Sequence, residues 1–322
     1  MTSTKTPAVY IDGQAGTTAL KIHEILADRD DIEVISLPDA DRKNPASRKN
    51  AIDQSDLSIL CLPDDAARQA AQWAAASNTQ IIDASTAHRV TEGWVYGLPE
   101  ISDEFRQRIR KSDRVANPGC YPTSVILLMR PLIDREIVSA DCPIVVNALS
   151  GYTGGGRKMI ERWESEQFAL HSMRYAAPYA LERVHKHIPE MIRYSGLRVE
   201  PQFLPRVGPF AQGMRVEIPL HRSWLDGADS SAEKVWETLE KAYRNERFVN
   251  LKPLYTDPVD EFEFDPRACN DTNRIDLSVS AHPSGHVLLT GILDNLGKGA
   301  SGAAVQAMNL MFGFEEDTGL AT

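Results

Sequence analysis

The sequence predicts an α/β chain in two parts, a doubly wound parallel sheet followed by an α+β domain. Two observations carry this. In the first third, short apolar runs alternate with helical patterns, the texture of βαβ units. After Cys120 the strand candidates lengthen, and Arg215-Val216-Glu217-Ile218 alternates polar with apolar, as expected of an antiparallel sheet with one wet face. No internal repeat or low-complexity linker marks the join. A boundary near residues 117–120 rests on that change of pattern.

Each element has its own warrant. Residues 8–11 form an apolar run suited to a buried strand, and residues 17–27 a helix after a glycine-bearing turn. Residues 32–35 and 57–61 supply two more strands, the alanine-rich residues 64–76 a helix, and residues 80–82 the next strand. In the second part the pattern predicts strands over 144–149, 214–220, 274–281 and 287–293, with helices over 159–168 and 232–244. The run 303–312 predicts a last helix with Val305, Met308 and Phe312 on one face.

At 322 residues the chain is long enough for two separate cores. A formal charge of −10 argues against nonspecific binding to nucleic acid or an anionic membrane. No apolar run approaches the roughly 20 residues that span a bilayer. The polar start, residues 1–7, leads straight into a strand, which argues against a secretory leader. Cys61, Cys120, Cys142 and Cys269 are scattered with no Cys-x-x-Cys pair. That usage suits a reducing cytoplasm and supports no metal site.

Gly13-Gln14-Ala15-Gly16-Thr17-Thr18-Ala19 falls between the first strand and the first helix, spaced G-x-x-G-x-x-A. Glycines there permit the tight turn and close approach, and the helix N-terminus faces a pyrophosphate. Any βα turn carries glycines easily, so position is the stronger signal. The first part therefore reads as a Rossmann-type dinucleotide-binding domain over residues 1–118. Its candidate contacts are Gly13, Gln14, Gly16, Thr17 and Thr18, with Leu62 and Pro63 after the third strand. In the loop after the second strand, Ser36, Arg42 and Lys43 favour the 2′-phosphate of NADP(H). The bland alternative is a solvated charged loop.

Asn117-Pro118-Gly119-Cys120-Tyr121-Pro122-Thr123 precedes the apolar run 125–129. Pro122 suits the first helical position, which puts Cys120 at a helix N-terminus. The positive end of the dipole there favours a thiolate, the nucleophilic form of a group whose free pKa is about 8.5. The alternative is a small buried hydrophobe. His185 and His187 lie two apart, ahead of a helix that Pro189-Glu190 starts near Ile188. His187 is the candidate acid/base and His185 the alternative or orienting partner. His23, His88, His171, His221, His282 and His286 are read as ordinary surface or core histidines.

Taken together, the runs at residues 12–18, 61–67, 83–89, 117–123, 185–191 and 294–302 resemble N-acetyl-γ-glutamyl-phosphate reductase, the shorter type of this enzyme of arginine biosynthesis. The likeness spans residues 8 to about 312. It is most specific in Pro-Gly-Cys-Tyr-Pro-Thr and His-x-His-x-Pro-Glu. Ala19 departs from the pattern, where many members have glycine.

The resemblance implies an architecture similar to glyceraldehyde-3-phosphate dehydrogenase, with a catalytic and dimerisation domain over 119–296. It also returns the C-terminal helix, 297–313, to the cofactor domain. The implied reaction is NADPH-dependent reduction of N-acetyl-L-glutamyl 5-phosphate to the 5-semialdehyde with phosphate release. Cys120 would carry the acyl group as a thioester. A cytoplasmic homodimer or homotetramer is expected, with a small acyl phosphate as partner and no nucleic acid or membrane.

Substrate anions call for planar donors and backbone N–H groups. Ser85, Arg89 and Asn117 are candidates, Arg89 in a run that resembles the phosphate-binding segment of related semialdehyde dehydrogenases. Ser150, Gly151 and Arg157 lie in a second candidate run, whose glycines would allow an N–H nest. That run reads equally as a flexible hairpin or an oligomer contact. Asn295 and Gly297, between the last strand and last helix, are placed to reach the nicotinamide amide. Two competitors stay open: a reductase of an aspartyl or aminoadipyl phosphate, and a non-catalytic NADP sensor. A substrate panel separates the first, and thiol labelling the second.

Overall fold

The computed structural model describes residues 6–167, 174–182, 184–225 and 231–322. His171 and residue 168 lie outside the described residues, and the helix expected over 159–168 runs over Arg157–Glu164 instead. Two compact units form, Met1–Pro118 with Ala300–Leu320 and Gly119–Gly299 with Ala321–Thr322.

In the first unit, strands β1 (Ala8–Asp12), β2 (Glu33–Ile35), β3 (Leu57–Leu60), β4 (Gln80–Asp83), β5 (Val95–Tyr96) and β6 (Arg114–Ala116) form one sheet in the order β2-β1-β3-β4-β6-β5. Every neighbouring pair is parallel. Side chains alternate across the sheet. Val9 and Ile11 face helix α1 (Thr17–Leu26), and Tyr10 faces α2 (Pro45–Gln54) and α3 (Asp64–Ser77). Ala67, Ala70 and Ala74 recur on one side of α3, so small residues let it lie close to the strands.

Helix α4 (Asp103–Arg110) and the C-terminal helix Gly302–Phe312 join the Val9 face. The single apolar face expected of that last helix is too narrow a reading. It is buried from Gly302 to Met311 on all sides. The polar positions inside have partners from the following tail and from Glu100. Gln306 Nε2 donates to Glu100 and Glu316, at 2.7 Å each, and Asn309 Nδ2 donates to the Thr318 carbonyl at 2.9 Å.

Helix α2 carries a buried ion pair that sequence reasoning does not find. Arg48 Nε and Nη2 donate to the two oxygens of Asp12 at 2.9 Å each, and the guanidinium lies 5.3 Å from the Trp73 ring centroid. Asp12 ends β1, so the pair fixes the strand end that leads into the glycine turn. Arg48→Ala leaves a buried carboxylate without its cation. Loss of one partner in such a pair costs about 3–5 kcal/mol, so urea unfolding should shift by that amount.

The second unit holds a seven-stranded sheet. Its strands are β7 (Val145–Ser150), β8 (Ala177–Pro178), β9 (Gln202–Val207), β10 (Met214–Leu220), β11 (Val249–Leu251), β12 (Ile275–Ala281) and β13 (Val287–Leu293). The order is β11-β12-β13-β10-β7-β9-β8. It is mixed rather than antiparallel throughout, because β7–β9 and β11–β12 pair in parallel. Strand β10 alternates buried and partly exposed residues as its sequence predicts.

Helix α5 (Cys120–Asp134) is buried along most of its length and packs on β10, β13, α7 (Ile188–Ser195) and α8 (Ala232–Tyr243). Helix α6 (Arg157–Glu164) follows β7, and α9 is the C-terminal helix of the first unit. Among the described residues no helix is long and apolar enough to cross a membrane.

Candidate active site

The sheet order reverses between β1 and β3, which opens a crevice beyond their C-terminal ends, the usual place for a dinucleotide. The turn that follows β1 is built for close approach. Gly13 has φ +93°, and a Cβ there would stand 2.2 Å from the Cys61 carbonyl oxygen. Gly16 is the N-cap of α1, with no side chain capping that terminus, and Thr17 and Thr18 are its first helical residues. Leu62 adjoins Gly13, and Pro63 is the N-cap of α3. These residues fit a pyrophosphate against backbone N–H groups. Ser36 directly follows β2 and is exposed, as is Lys43, while Arg42 pairs with Asp39 at 3.1 Å in the same loop. In the orientation that satisfies both of its groups, the Gln14 carboxamide pairs with the Leu37 backbone at 3.2 Å, joining the glycine turn to that loop.

At the ends of β4 and β6 a second constellation forms in the same unit. Ser85 donates from Oγ to Asp83 at 2.8 Å. His88 Nδ1 meets the same carboxylate at 2.6 Å, and its ring stacks on Trp94 at 4.0 Å. Arg89 Nε donates to the Asn117 carbonyl at 2.9 Å and Nη2 to the Ala84 carbonyl at 3.3 Å. Asn117 Nδ2 in turn donates to the Ala300 carbonyl at 2.8 Å. Ser85, Arg89 and Asn117 are therefore brought together on one edge, each already tied to the backbone or to Asp83.

In the second unit, Cys120 is the first residue of α5, and Gly119 is its N-cap. Pro122 is thus the third helical residue rather than the first. Its missing N–H has no intrahelical acceptor at that position either, so the helix tolerates it. Gly119 N–H donates to Glu190 Oε2 at 3.0 Å. Glu190 stands at the third position of α7, where a carboxylate usually reaches back to its own N-cap. Here it reaches the turn that precedes Cys120 instead. The Cys120 and Cys61 side chains are both half-buried, whereas Cys142 and Cys269 are buried; what separates Cys61 from Cys120 is its setting between the Asp12 and Asp83 carboxylates. Burial pushes the Cys61 thiol up to about 12 and the Cys269 thiol up to about 11.

The two histidines lie in the turn before α7, with His187 as its N-cap. Their ring centroids are 4.8 Å apart, and both rings pack on Tyr121. His185 Nδ1 accepts the His187 N–H at 3.2 Å, which leaves the neutral ring's proton on Nε2. Burial, with Lys186 adding to it, pushes His185 down to about 4, so this ring stays neutral at physiological pH. Tyr179 O–H donates to Tyr121 Oη at 3.0 Å. Burial raises both phenols, Tyr179 to about 12. Glu190, Tyr121 and Tyr179 were not singled out from sequence. For Glu190 a signal existed, since it stands three residues after the N-cap histidine.

Several of the expected contact residues already have partners within the protein. The glycine run after β7 offers no N–H nest over its first residues. Gly151, Tyr152 and Thr153 N–H groups already donate to the carbonyls of Gly213, Phe210 and Ala211 at 2.8–3.0 Å. Gly151 is required because a Cβ would stand 2.3 Å from the Ala211 oxygen, and Ser150 Oγ donates to the Gly151 carbonyl. Arg157 lies on the exposed side of α6, paired with Glu161 at 2.8 Å. Asn295 has two partners within the protein. Its Oδ1 accepts Gly213 N–H at 2.7 Å and its Nδ2 donates to Thr153 Oγ1 at 3.0 Å. Gly297 answers a close approach, since a Cβ there would meet the Thr272 carbonyl oxygen at 2.2 Å.

The outlying histidines have structural partners. Nδ1 of His221, His282 and His286 each accepts a main-chain N–H, at 3.1–3.2 Å. Among the described residues no cluster of metal-ligating side chains occurs.

Two family models match the chain. The semialdehyde dehydrogenase NAD binding domain covers residues 12–110, and the semialdehyde dehydrogenase dimerisation domain covers residues 120–295. N-acetyl-gamma-glutamyl-phosphate reductase 2 of Pseudomonas putida is 46% identical over 96% of this chain and 97% of its own length. The reductase of Brucella anthropi is 45% identical over 95% and 99%. Among solved structures, aspartate semialdehyde dehydrogenase II of Vibrio cholerae superposes with a TM-score of 0.70 at 17% identity, covering 96% of this chain and 99% of that one. At that identity the likeness concerns the fold alone.

Proposed function

The chain belongs to the N-acetyl-gamma-glutamyl-phosphate reductases within the semialdehyde dehydrogenase family, and we propose that it performs their reaction through an acylated Cys120. It is an NADP(H)-dependent oxidoreductase that converts N-acetyl-L-glutamyl 5-phosphate to N-acetyl-L-glutamate 5-semialdehyde in arginine biosynthesis. The observation that carries the covalent reading is the placement of Cys120. It opens a helix, behind a glycine held by Glu190, in the unit that also holds the His185–His187 pair.

The chemistry follows from those groups. Cys120 sulfur attacks the acyl carbon, the carbon–oxygen bond to phosphate breaks, and phosphate leaves with a proton from solvent. The glycine turn of the first unit, Gly13 to Thr18, would hold NADPH, and that group would supply the hydride the reduction needs. His187 gives a proton to the carbonyl oxygen as the thiohemiacetal forms and takes it back as that adduct collapses. Collapse breaks the carbon–sulfur bond and returns Cys120 as thiolate. His185, neutral throughout, orients rather than shuttles. Ser85, Arg89 and Asn117 of the first unit are read as binding the substrate's anionic groups.

The test is acyl trapping. Substrate added without reductant should leave an N-acetylglutamyl mass on the Cys120 peptide, and an unmodified peptide would refute the covalent route. In the reverse direction, oxidation of the semialdehyde by NADP+ should require phosphate strictly. The loop after β2 gives a further expectation. Arg42→Ala with Lys43→Ala should raise KM for NADPH by about tenfold or more, the scale of a lost charged hydrogen bond, with little change for NADH. Equal losses would show that this loop does not read the 2′-phosphate. A cytoplasmic homodimer or homotetramer completes the reading, supported by the matching dimerisation domain.

A further inference from the structure

The segment Gly297–Ser301 is wound as a π-helix ahead of α9. Wide turns of this kind are uncommon and gather at functional sites. Gly299 N–H donates to the Asp294 carbonyl five residues back, at 2.9 Å. The φ of Gly299 lies outside the left-handed region, so its backbone would accept any residue. In a helical segment glycine is a poorer choice than alanine. The position therefore needs a glycine for space alone.

That space belongs to the reacting residue. A Cβ on Gly299 would stand 2.7 Å from the Cys120 Cβ, 3.0 Å from the Asp294 carbonyl oxygen and 3.1 Å from Leu293 Cδ1. Backbone and a Cβ do not yield as the tip of a flexible side chain does. The turn itself has little freedom to retreat. Asp294 is fully buried, and its carboxylate accepts from Gln212 Nε2 at 2.6 Å and from the Asp271 and Leu296 N–H groups at 2.9 Å. Lys298 is also fully buried, its ammonium 5.6 Å from the Phe248 ring centroid, which anchors the same turn.

We propose that Gly299, on a turn anchored by Lys298, is a positioning residue for the reacting sulfur. The turn presents a bare Cα to Cys120 and so fixes where the thiol-bearing carbon sits. This rests on the reading of Cys120 as nucleophile. Alanine at 299 displaces the Cys120 Cβ, and with it the sulfur. A misplacement of about 1 Å costs on the order of 100-fold in rate.

The experiment uses Gly299→Ala and Lys298→Met in the full chain. It follows kcat and KM for phosphate-dependent semialdehyde oxidation, the pH profile of Cys120 alkylation by iodoacetamide, and the thermal midpoint. Gly299→Ala should lower kcat by roughly 100-fold with KM little changed, and should displace the alkylation profile. Wild-type kcat and profile in a folded Gly299→Ala protein overturn the proposal, as does a lowered midpoint with kcat unchanged. If Gly299→Ala does not fold, Lys298→Met decides. A displaced profile with reduced kcat supports the positioning role, and an unchanged one overturns it. Turnover retained by Cys120→Ser would instead remove the covalent reading beneath it.

Discussion

Cys120→Ser abolishes turnover, lowering kcat by roughly four to six orders of magnitude, the range seen when the nucleophile of a covalent mechanism is removed. Serine keeps the shape of the side chain and the start of α5, so folding is preserved. A hydroxyl is not ionised near neutral pH, and the attack on the acyl carbon is lost with the thiolate. NADPH binding should stay near wild type, because the glycine turn and the loop after β2 belong to the other compact unit. Titration of nucleotide fluorescence beside a stopped-flow assay checks both halves of this expectation. Appreciable turnover in the serine variant would remove the thioester from the mechanism.

Selective labelling supplies a complementary check. Burial holds the Cys61 thiol near 12 and the Cys269 thiol near 11, so neither supplies thiolate at pH 8. Alkylation in the native state should therefore begin at Cys120. First labelling of Cys61 or Cys269 would contradict that order.

How much of this was legible in the sequence depended on length and period. Strands β10 and β13 are predicted residue for residue, because seven-residue strands carry a readable pattern. β5 and β6, with two and three residues, carry no period at all and are missed. Helix α2 is mostly polar, with Arg48, Ala51 and Ile52 alone buried. Its signal is the cap, Asn44 followed by Pro45, rather than an apolar stripe.

The site divides in the same way. Cys120 and the two histidines stand out as local motifs. The partner that holds the turn before Cys120 does not, since Glu190 acts on Gly119 from 71 residues away. The glycine run after β7 shows the converse. Its backbone donors look free from the local sequence, but the approach of residues 210–213 claims those of Gly151, Tyr152 and Thr153. Asn295 is claimed by the same long-range contact. Such assignments follow from tertiary neighbours, and local pattern does not contain them.

His187→Gln lowers kcat by roughly 100- to 10,000-fold, the usual contribution of general acid–base catalysis. His185→Gln has a much smaller effect, falling mainly on KM. The difference follows from their surroundings. With its pKa pushed down to about 4, His185 is a neutral imidazole near neutral pH and has no imidazolium proton to give. An inflection in kcat between pH 6 and 8 therefore belongs to another group, and His185→Gln leaves it in place.

His185 has its own signature in stability. The ring takes up a proton near pH 6.5 when unfolded and near 4 when folded. Below pH 6.5 the unfolded chain binds the additional proton, so the stability contributed above that pH is lost as pH falls toward 4. His185→Gln should flatten urea-unfolding stability in that window and leave it nearly unchanged above pH 7. If His185→Gln erased the neutral inflection in kcat and His187→Gln preserved it, the roles of the two histidines would be reversed.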